Sequence, residues 1–208
     1  MGWARGLHGG ACPPARRRRC QRGLAVADAQ RREGIGRSRG GLSTKIHTIC
    51  DGKGRNLASH ITCGQDADTR ELVRLLEAVS VARPGGLGRP RSRLEHLCGD
   101  KGYSSAANRR ALRRRKIPHT IPERDDQKAN RARKGPRGGR PPTFSQDRYH
   151  DRNLVERLMN RRKQFRAVAT RDDKLGERYR ATVQIADIFI WMRTNPDPPT
   201  PRHPGNTP

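Results

Sequence analysis

Alternation of apolar and polar residues marks the first regular part of the chain. LSTKIHTICD and NLASHIT both read as half-buried strands. The sequence between them, Asp51-Gly52-Lys53-Gly54, is a strong hairpin-turn signal. DTRELVRLLEAVSVA then has its leucines at helical spacing, and PGGLGRP ends that segment. The pattern predicts a hairpin followed by one helix.

The middle of the chain predicts a strand, a helix and a second strand. The short apolar run from Leu94 to Cys98 reads as a buried strand and places Asp100 at its C-terminal end. SAANRRALRRRK is a predicted helix, capped by Ser104 or Ser105. KIPHTIPE follows as another short strand between two prolines.

The strongest helical pattern lies in DRYHDRNLVERLMNRRKQFRAVAT, and a further helix from Ala181 to Met192 is expected to pack behind it. The complete order is β-β-α-β-α-β, a basic insertion at about 124–142, and α-α. This order predicts an α/β fold in which helices flank a small mixed sheet.

The two ends of the chain lack the alternating and helical patterns of hydrophobic residues. Residues 1–35 are rich in Gly and Arg, and we interpret them as a disordered basic arm. Residues 194–208 form a Pro-rich tail that cannot adopt regular structure. The folded part is therefore expected to span 36–193.

Charge determines the class of partner. The 208 residues contain 46 Lys+Arg and 20 Asp+Glu, a formal net charge of +26, and only 31% of them are hydrophobic. Between 101 and 140 there are 14 basic and 3 acidic residues, a local net charge of +11. Such an excess favours a nucleic-acid partner, and we expect the insertion to contact phosphates. The sequence has neither a membrane-spanning run nor a secretory signal, and its five cysteines suit a reducing cytoplasm.

One face of the strongest predicted helix carries candidate chemistry. Tyr149, Arg152, Glu156 and Lys163 lie within about 60° of one another on a helical wheel, opposite an apolar face of Leu154, Leu158 and Phe165. On spacing alone, an ordinary surface helix with Arg152 and Glu156 as an i,i+4 pair is the more frequent case. Phosphoryl transfer on nucleic acid by two divalent ions would use such a face, with Asp100 and Glu156 as carboxylate ligands.

Several blocks of the sequence resemble bacterial insertion-sequence transposases of the DDE superfamily. They are GRSRGGLSTKIHTICDGKGRNLA, GDKGYSS, IPERDDQKANRARKGPRGGRPP and YHDRNLVERLMNRRKQFRAVATRDDKL, and the resemblance covers about Gly36 to Arg193. The family signature Tyr-x2-Arg-x3-Glu-x6-Lys is matched by Tyr149, Arg152, Glu156 and Lys163, and GDKGYSS supplies the second acid as Asp100.

The resemblance implies a ribonuclease H-like catalytic domain. It also implies Mg²⁺- or Mn²⁺-dependent cleavage at transposon ends, followed by strand transfer into target DNA. Asp100 and Glu156 would be the catalytic metal ligands, and Tyr149, Arg152 and Lys163 would contact DNA. The partners would be terminal repeats and target DNA, bound by a homo-oligomer in the cytoplasm at the nucleoid.

The first acid of the family triad has no counterpart. Residues 1–35 contain one Asp, Asp28, whose surroundings do not match the family. LHGGACPPARRRRC can be encoded by codons that spell GSTVVRAHQHAAGA, the missing family segment, when they are shifted by one frame. We therefore expect an N-terminally truncated or frameshifted chain that lacks the first strand, and an inactive remnant of the enzyme.

Three alternative interpretations compete with this one. His47-x2-Cys50 and His60-x2-Cys63 have the short spacings of zinc ligands. Both pairs lie on predicted strands, where residues i and i+3 point to opposite faces, so neither pair could easily bind one zinc ion. Cys98 has no accompanying base and is interpreted as a small buried strand residue rather than a nucleophile. A non-catalytic basic nucleic-acid-binding protein explains the charge equally well, but not the register of the four signature residues.

Overall fold

The computed structural model describes residues 2–5, 33–38 and 41–194. Most of the predicted arm, with Asp28 and LHGGACPPARRRRC, and the tail from 195 onward lie outside these residues. The strands are β1 (Gly2–Arg5), β2 (Gly36–Ser38), β3 (Gly41–Cys50), β4 (Asn56–Cys63), β5 (Leu97–Cys98) and β6 (His119–Thr120). The helices are α1 (Glu71–Ala78), α2 (Ala106–Arg114), α3 (Asp125–Arg133), α4 (Gln146–His150), α5 (Asn153–Lys163), α6 (Arg166–Thr170) and α7 (Gly176–Thr194).

The predicted hairpin is present as β3 and β4. The two strands pair antiparallel with Ile46 opposite Ile61. Asp51 closes the turn, because its Oδ1 accepts hydrogen bonds from the backbone N–H groups of Lys53 and Arg55, each at 2.9 Å. Gly54 has a φ of +70°, a conformation that favours glycine. The alternating pattern and the turn residues therefore act together, as the sequence indicates.

A strand does lie on the other edge of β3, which corrects the expectation that the first strand is missing. Gly2–Arg5 pairs antiparallel with β3, with Gly2 opposite Thr48 and Arg5 opposite Lys45. β2 pairs with the beginning of β3. Neither edge of the middle of β3 is therefore left open, although the four residues of β1 contain no carboxylate.

The described residues form two separate sheets, whereas the sequence predicts one mixed sheet. β1 to β4 form an antiparallel sheet, whereas β5 and β6 form a parallel pair with Leu97 opposite His119. The α/β class is confirmed. A single mixed sheet would need one strand to pair with both groups, and no described strand does so.

Apolar residues cover both faces of the β3–β4 hairpin. Ile49 belongs to a buried cluster with α1, α2 and β5, which includes Leu72, Leu97 and Leu112. Ile46, three residues earlier, belongs to a second cluster with residues of α5 to α7, such as Val155 and Val183. Since residues i and i+3 of a strand point to opposite faces, the hairpin is the middle layer between two helical layers.

The predicted long helix is interrupted twice. Residues 146–170 form α4, α5 and α6, and Phe165 adopts an extended conformation before α6. Leu158 is buried as expected, together with Val155 and Met159. The last helix is longer than predicted, since α7 runs from Gly176 to Thr194. None of the helices in the described ranges combines the length and apolarity needed to cross a membrane.

The basic insertion contains a helix, whereas the sequence suggests only a low-complexity segment. Asp125 and Asp126 in the first turn of α3 are favourable at the positive end of the helix dipole. Gln127 accepts a hydrogen bond from the Ser104 hydroxyl at 2.7 Å and donates one to the Ser104 carbonyl at 2.9 Å. These contacts tie α3 to the segment that follows Asp100, which composition alone does not reveal.

Candidate functional site

Asp100 lies where β5 ends and caps a short 3-10 turn. Its Oδ2 accepts a hydrogen bond from the Gly102 N–H at 3.3 Å, at the start of the turn Lys101–Tyr103. Tyr103 is fully buried, and its hydroxyl lies 2.9 Å from Nδ1 of His47 on β3. The turn that carries Asp100 is therefore anchored to the antiparallel sheet.

Glu156 lies in the first turn of α5 and is half exposed, with 56% of its side chain accessible. Asp100 is less exposed, at 19%. Because α5 buries Val155, Leu158 and Met159, the opposite side of the helix presents Glu156 outward.

Arg152 bridges the two carboxylates. Its Nη1 donates to Oδ1 of Asp100 at 3.3 Å, and its Nη2 lies 2.8 Å from Oε1 of Glu156. The guanidinium lies over the Tyr149 ring, 5.2 Å from its centroid. The structure thus brings together four of the five predicted site residues, although 52 residues separate Asp100 from Arg152.

The electrostatics of Tyr149 follow from this cluster. Burial raises the pKa of its phenol, and the nearby carboxylates of Asp100 and Glu156 act in the same direction. The charge of Arg152 opposes them. Tyr149 also contacts Phe144, with 5.3 Å between ring centroids. The phenol therefore stays protonated at neutral pH and can donate a hydrogen bond.

Lys163 lies apart from the other four. It is exposed in the last turn of α5, and it forms no hydrogen bond or ion pair with any described residue. Seven residues separate it from Glu156, a rise of about 10 Å along the helix. Its ammonium group therefore lies about two helical turns from the Arg152 cluster.

Two carboxylates of the described residues lie where a divalent ion could bind. Mg²⁺ and Mn²⁺ prefer several oxygen ligands, of which Asp100 and Glu156 could supply two groups. Within the described ranges, no three His, Cys, Asp or Glu side chains are grouped to hold a metal. The guanidinium of Arg152 pairs with both carboxylates instead. The described residues therefore offer two carboxylates to the expected Mg²⁺ or Mn²⁺, and a Mg²⁺ ion commonly takes waters and substrate phosphates as its other ligands.

A buried polar network holds α5 in place. Arg162 is 0% exposed, and its Nε and Nη2 donate to the two carboxylate oxygens of Asp187 on α7 at 2.6 and 2.7 Å. Nη2 also donates to Ser59 on β4 at 2.8 Å, and Asn56 donates to Asp187 at 2.8 Å. Every charged group is paired, as burial requires. The network fixes the helix that carries Glu156 and that begins directly after Arg152.

The sequence analysis did not predict this network, although the position of Arg162 in the sequence contains a signal of it. On the helical wheel Arg162 lies at about 220° from Tyr149, close to Leu158 and Phe165 on the apolar face. A charged residue at an apolar position indicates a buried partner. Nothing in the sequence identifies that partner as Asp187, because residues on separate helices meet only through the packing of the whole domain.

The histidines of the two zinc-like pairs, His47 and His60, lie within hydrogen-bond distance of other side chains of the protein. Nδ1 and Nε2 of His47 lie 2.9 Å from the hydroxyls of Tyr103 and Thr62. Burial lowers the pKa of His47 to about 4, so the imidazole is neutral. Nδ1 of His60 lies 2.6 Å from Oε2 of Glu71. Both histidines connect elements of the core.

Cys98 is half buried at the end of β5. Its thiol donates to the Arg148 carbonyl at 3.0 Å, and burial raises its pKa. Cys50, Cys63 and Cys98 form no disulfide. A thiol with a raised pKa is a weak nucleophile, which agrees with a packing role.

Comparison with known proteins gives one family and one curated relative. Residues 13–176 match the family described as Transposase DDE domain. A Burkholderia cepacia protein, assigned as a transposase for insertion sequence element IS402, is 36% identical over 81 residues. That alignment covers 39% of this chain and 38% of the relative, so the chain spans well under half of the relative's length. No solved structure matches the chain.

The family match begins within the segment 1–35, which we interpreted as an arm, and ends within α7. It includes Asp100, Arg152 and Glu156, the three residues that the structure joins in one cluster. Since the match extends over most of the chain, the protein belongs to the transposase DDE domain family.

Proposed function

We propose that this chain is a transposase domain that binds DNA and does not cleave it unaided. The supporting observation is the Asp100–Arg152–Glu156 bridge, in which one arginine pairs with both acids of the family site. The family reaction uses divalent ions held by three acids, and the described residues offer two. We therefore derive no cleavage or strand-transfer step for this chain.

Tyr149, Arg152 and Lys163 are the proposed DNA contacts. The Arg152 guanidinium pairs with both acids and would bind a phosphate through its remaining N–H groups, and Tyr149 can donate a hydrogen bond. Lys163 is exposed and unpaired among the described residues. The proposed ligands are the terminal repeats of an insertion sequence and target DNA, bound by a homo-oligomer. A net charge of +26 favours any such polyanion.

The proposed domain plan keeps a basic arm over 1–35, the family domain over 36–193 and a Pro-rich tail. The arm is proposed to be translated out of frame in its first 20 or so residues. The coding sequence tests this proposal. A second frame that spells GSTVVRAHQHAAGA opposite LHGGACPPARRRRC would support it, and its absence would exclude it.

A nicking assay with a parallel binding assay tests the proposed function. Duplex DNA carrying the terminal repeats is incubated with Mg²⁺ or Mn²⁺ and with the parent chain, Asp100→Asn or Glu156→Gln. We expect no nicking above background from any of the three. We expect salt-sensitive binding by all of them, weakened in Arg152→Gln and Lys163→Gln.

Two results would overturn the proposal in different ways. Nicking by the parent that both acid substitutions abolish would establish a working active site with an additional ligand. A parent chain that binds no DNA even at low salt would refute the DNA-binding part. Binding that is insensitive to Arg152 and Lys163 would leave the alternative of a generally basic nucleic-acid-binding protein.

A further inference from the structure

A large groove lies beside the Arg152 cluster and is not part of it. Its volume is about 1160 Å³. One wall is formed by α2 and the segment that follows it, and the other by α3 and the remainder of the insertion, up to Ser145. The groove exceeds the roughly 300–1,000 Å³ of small-molecule pockets, so a polymer segment fits it better than a metabolite.

The groove is strongly basic on both walls. Seven Lys and Arg side chains line it, against the single carboxylate of Glu123. Glu123 is already paired with Arg131. Four of the other cations form no ion pair with a described carboxylate and are exposed: Arg113, Lys116, Lys134 and Arg140. Four exposed charges without ion-pair partners around one groove favour the binding of an anionic ligand.

Arg109 is the most buried cation of the groove. It lines the groove, and it is only 9% exposed. Its Nη2 donates to the Ser104 hydroxyl at 3.1 Å and to the Ile121 carbonyl at 2.9 Å. Its Nη1 is shielded from solvent and has no acceptor among the described residues. The hydrogen bonds to Ser104 and Ile121 hold this guanidinium in the wall of the groove.

The lining contains no Phe, Tyr or Trp. Proteins that hold unpaired nucleic-acid strands usually stack the bases on such rings. A groove with cations and without rings is suited to the phosphate backbone of a duplex, whose bases remain paired with each other. Contacts of this kind position DNA without reading its sequence.

One end of the groove is connected to the proposed DNA-binding cluster. Arg148 lines the groove, and its Nη1 lies 3.0 Å from Nδ1 of His96, which also lines it. The next residue along the chain is Tyr149, which packs against Arg152. A backbone that leaves the groove at Arg148 therefore arrives at the cluster.

We propose that the groove between α2 and the basic insertion seats one phosphate backbone of duplex DNA and extends the contact made at Arg152. This inference rests on the proposed function, because it assigns a second contact surface to the same ligand. In this proposal the basic insertion forms one wall of a DNA-binding groove.

A charge-matched pair of variants tests the inference. The groove variant carries Arg113→Gln, Lys116→Gln, Lys134→Gln and Arg140→Gln. The control carries Arg110→Gln, Arg114→Gln, Arg133→Gln and Arg137→Gln, which lie on the same two segments but outside the groove. Both lose four charges. Affinity for a duplex and for the corresponding single strand is measured by fluorescence anisotropy at several salt concentrations, with circular dichroism to verify folding.

For the groove variant we expect at least a 10-fold loss of duplex affinity, and a salt slope lower by about 4, one for each lost phosphate contact. For the control we expect a change of slope below about 1. Equal losses in the two variants would overturn the inference, as would a loss confined to single-stranded DNA. A parent chain that binds no duplex would instead refute the proposed function, so the two failures are distinguishable.

Discussion

Removal of the Asp187 carboxylate should be among the most damaging single changes in this domain. Asp187→Ala leaves the guanidinium of Arg162 buried and charged, with 0% exposure. It removes two charge-assisted hydrogen bonds to Arg162 and one that Asn56 donates. The hydrogen bond from Arg162 to Ser59 remains but cannot neutralise the charge.

The expected cost follows from the burial of the pair. Breaking a buried ion pair by removing one partner costs about 3–5 kcal/mol, against a total stability of about 5–15 kcal/mol for a typical domain. Urea unfolding followed by circular dichroism would measure the difference. Glu77→Gln is the matched control, because it breaks the exposed pair between Glu77 and Arg115. That change should cost below about 1 kcal/mol.

A double substitution separates the charge from the packing. Arg162→Met with Asp187→Leu removes both charges, and such replacements of buried pairs are often neutral or stabilising. We expect the double variant to be more stable than Asp187→Ala by at least about 1 kcal/mol. If Asp187→Ala costs below about 1 kcal/mol, or if the double variant is no better, the network does not hold α5 as described.

Three further predictions concern other parts of the core. The pKa of His47 is about 4 in the folded chain, below its usual 6.5, so the unfolded chain takes up a proton on this residue at higher pH than the folded chain does. The free energy of unfolding should therefore decrease as the pH is lowered from about 6.5 to about 4. The variant His47→Gln should show a weaker dependence on pH over that range. Ser105 accepts a hydrogen bond from the Asn108 N–H at 3.1 Å as the cap of α2; Ser105→Ala should cost about 1 kcal/mol in urea unfolding, and no loss would exclude this cap. The raised pKa and the hydrogen bond of Cys98 predict slower alkylation by iodoacetamide at pH 8 in the native than in the urea-unfolded chain, measured by mass spectrometry; equal rates would contradict its burial.

Local patterns identified the elements whose causes are local. The β3–β4 hairpin depends on alternation and on a turn closed by Asp51, and α2 on a serine cap, all of which lie within a few residues of the structure they produce. The wheel also placed Tyr149, Arg152 and Glu156 on one side. The breaks around α5 and the helix α3 were not predicted, because Phe165 and Gln127 take their conformations from contacts with other segments.

The sequence by itself determined the class of fold and the excess of positive charge, and it predicted the acidic and basic residues of the candidate site. Only the tertiary structure decided that Arg152 joins Asp100 to Glu156, that Arg162 is buried against Asp187, and that α2 and the insertion enclose a groove. The physical reason is the distance along the chain over which each kind of interaction acts. Periodicity and capping act over three or four residues, whereas these contacts join residues that only the packing of the core brings together.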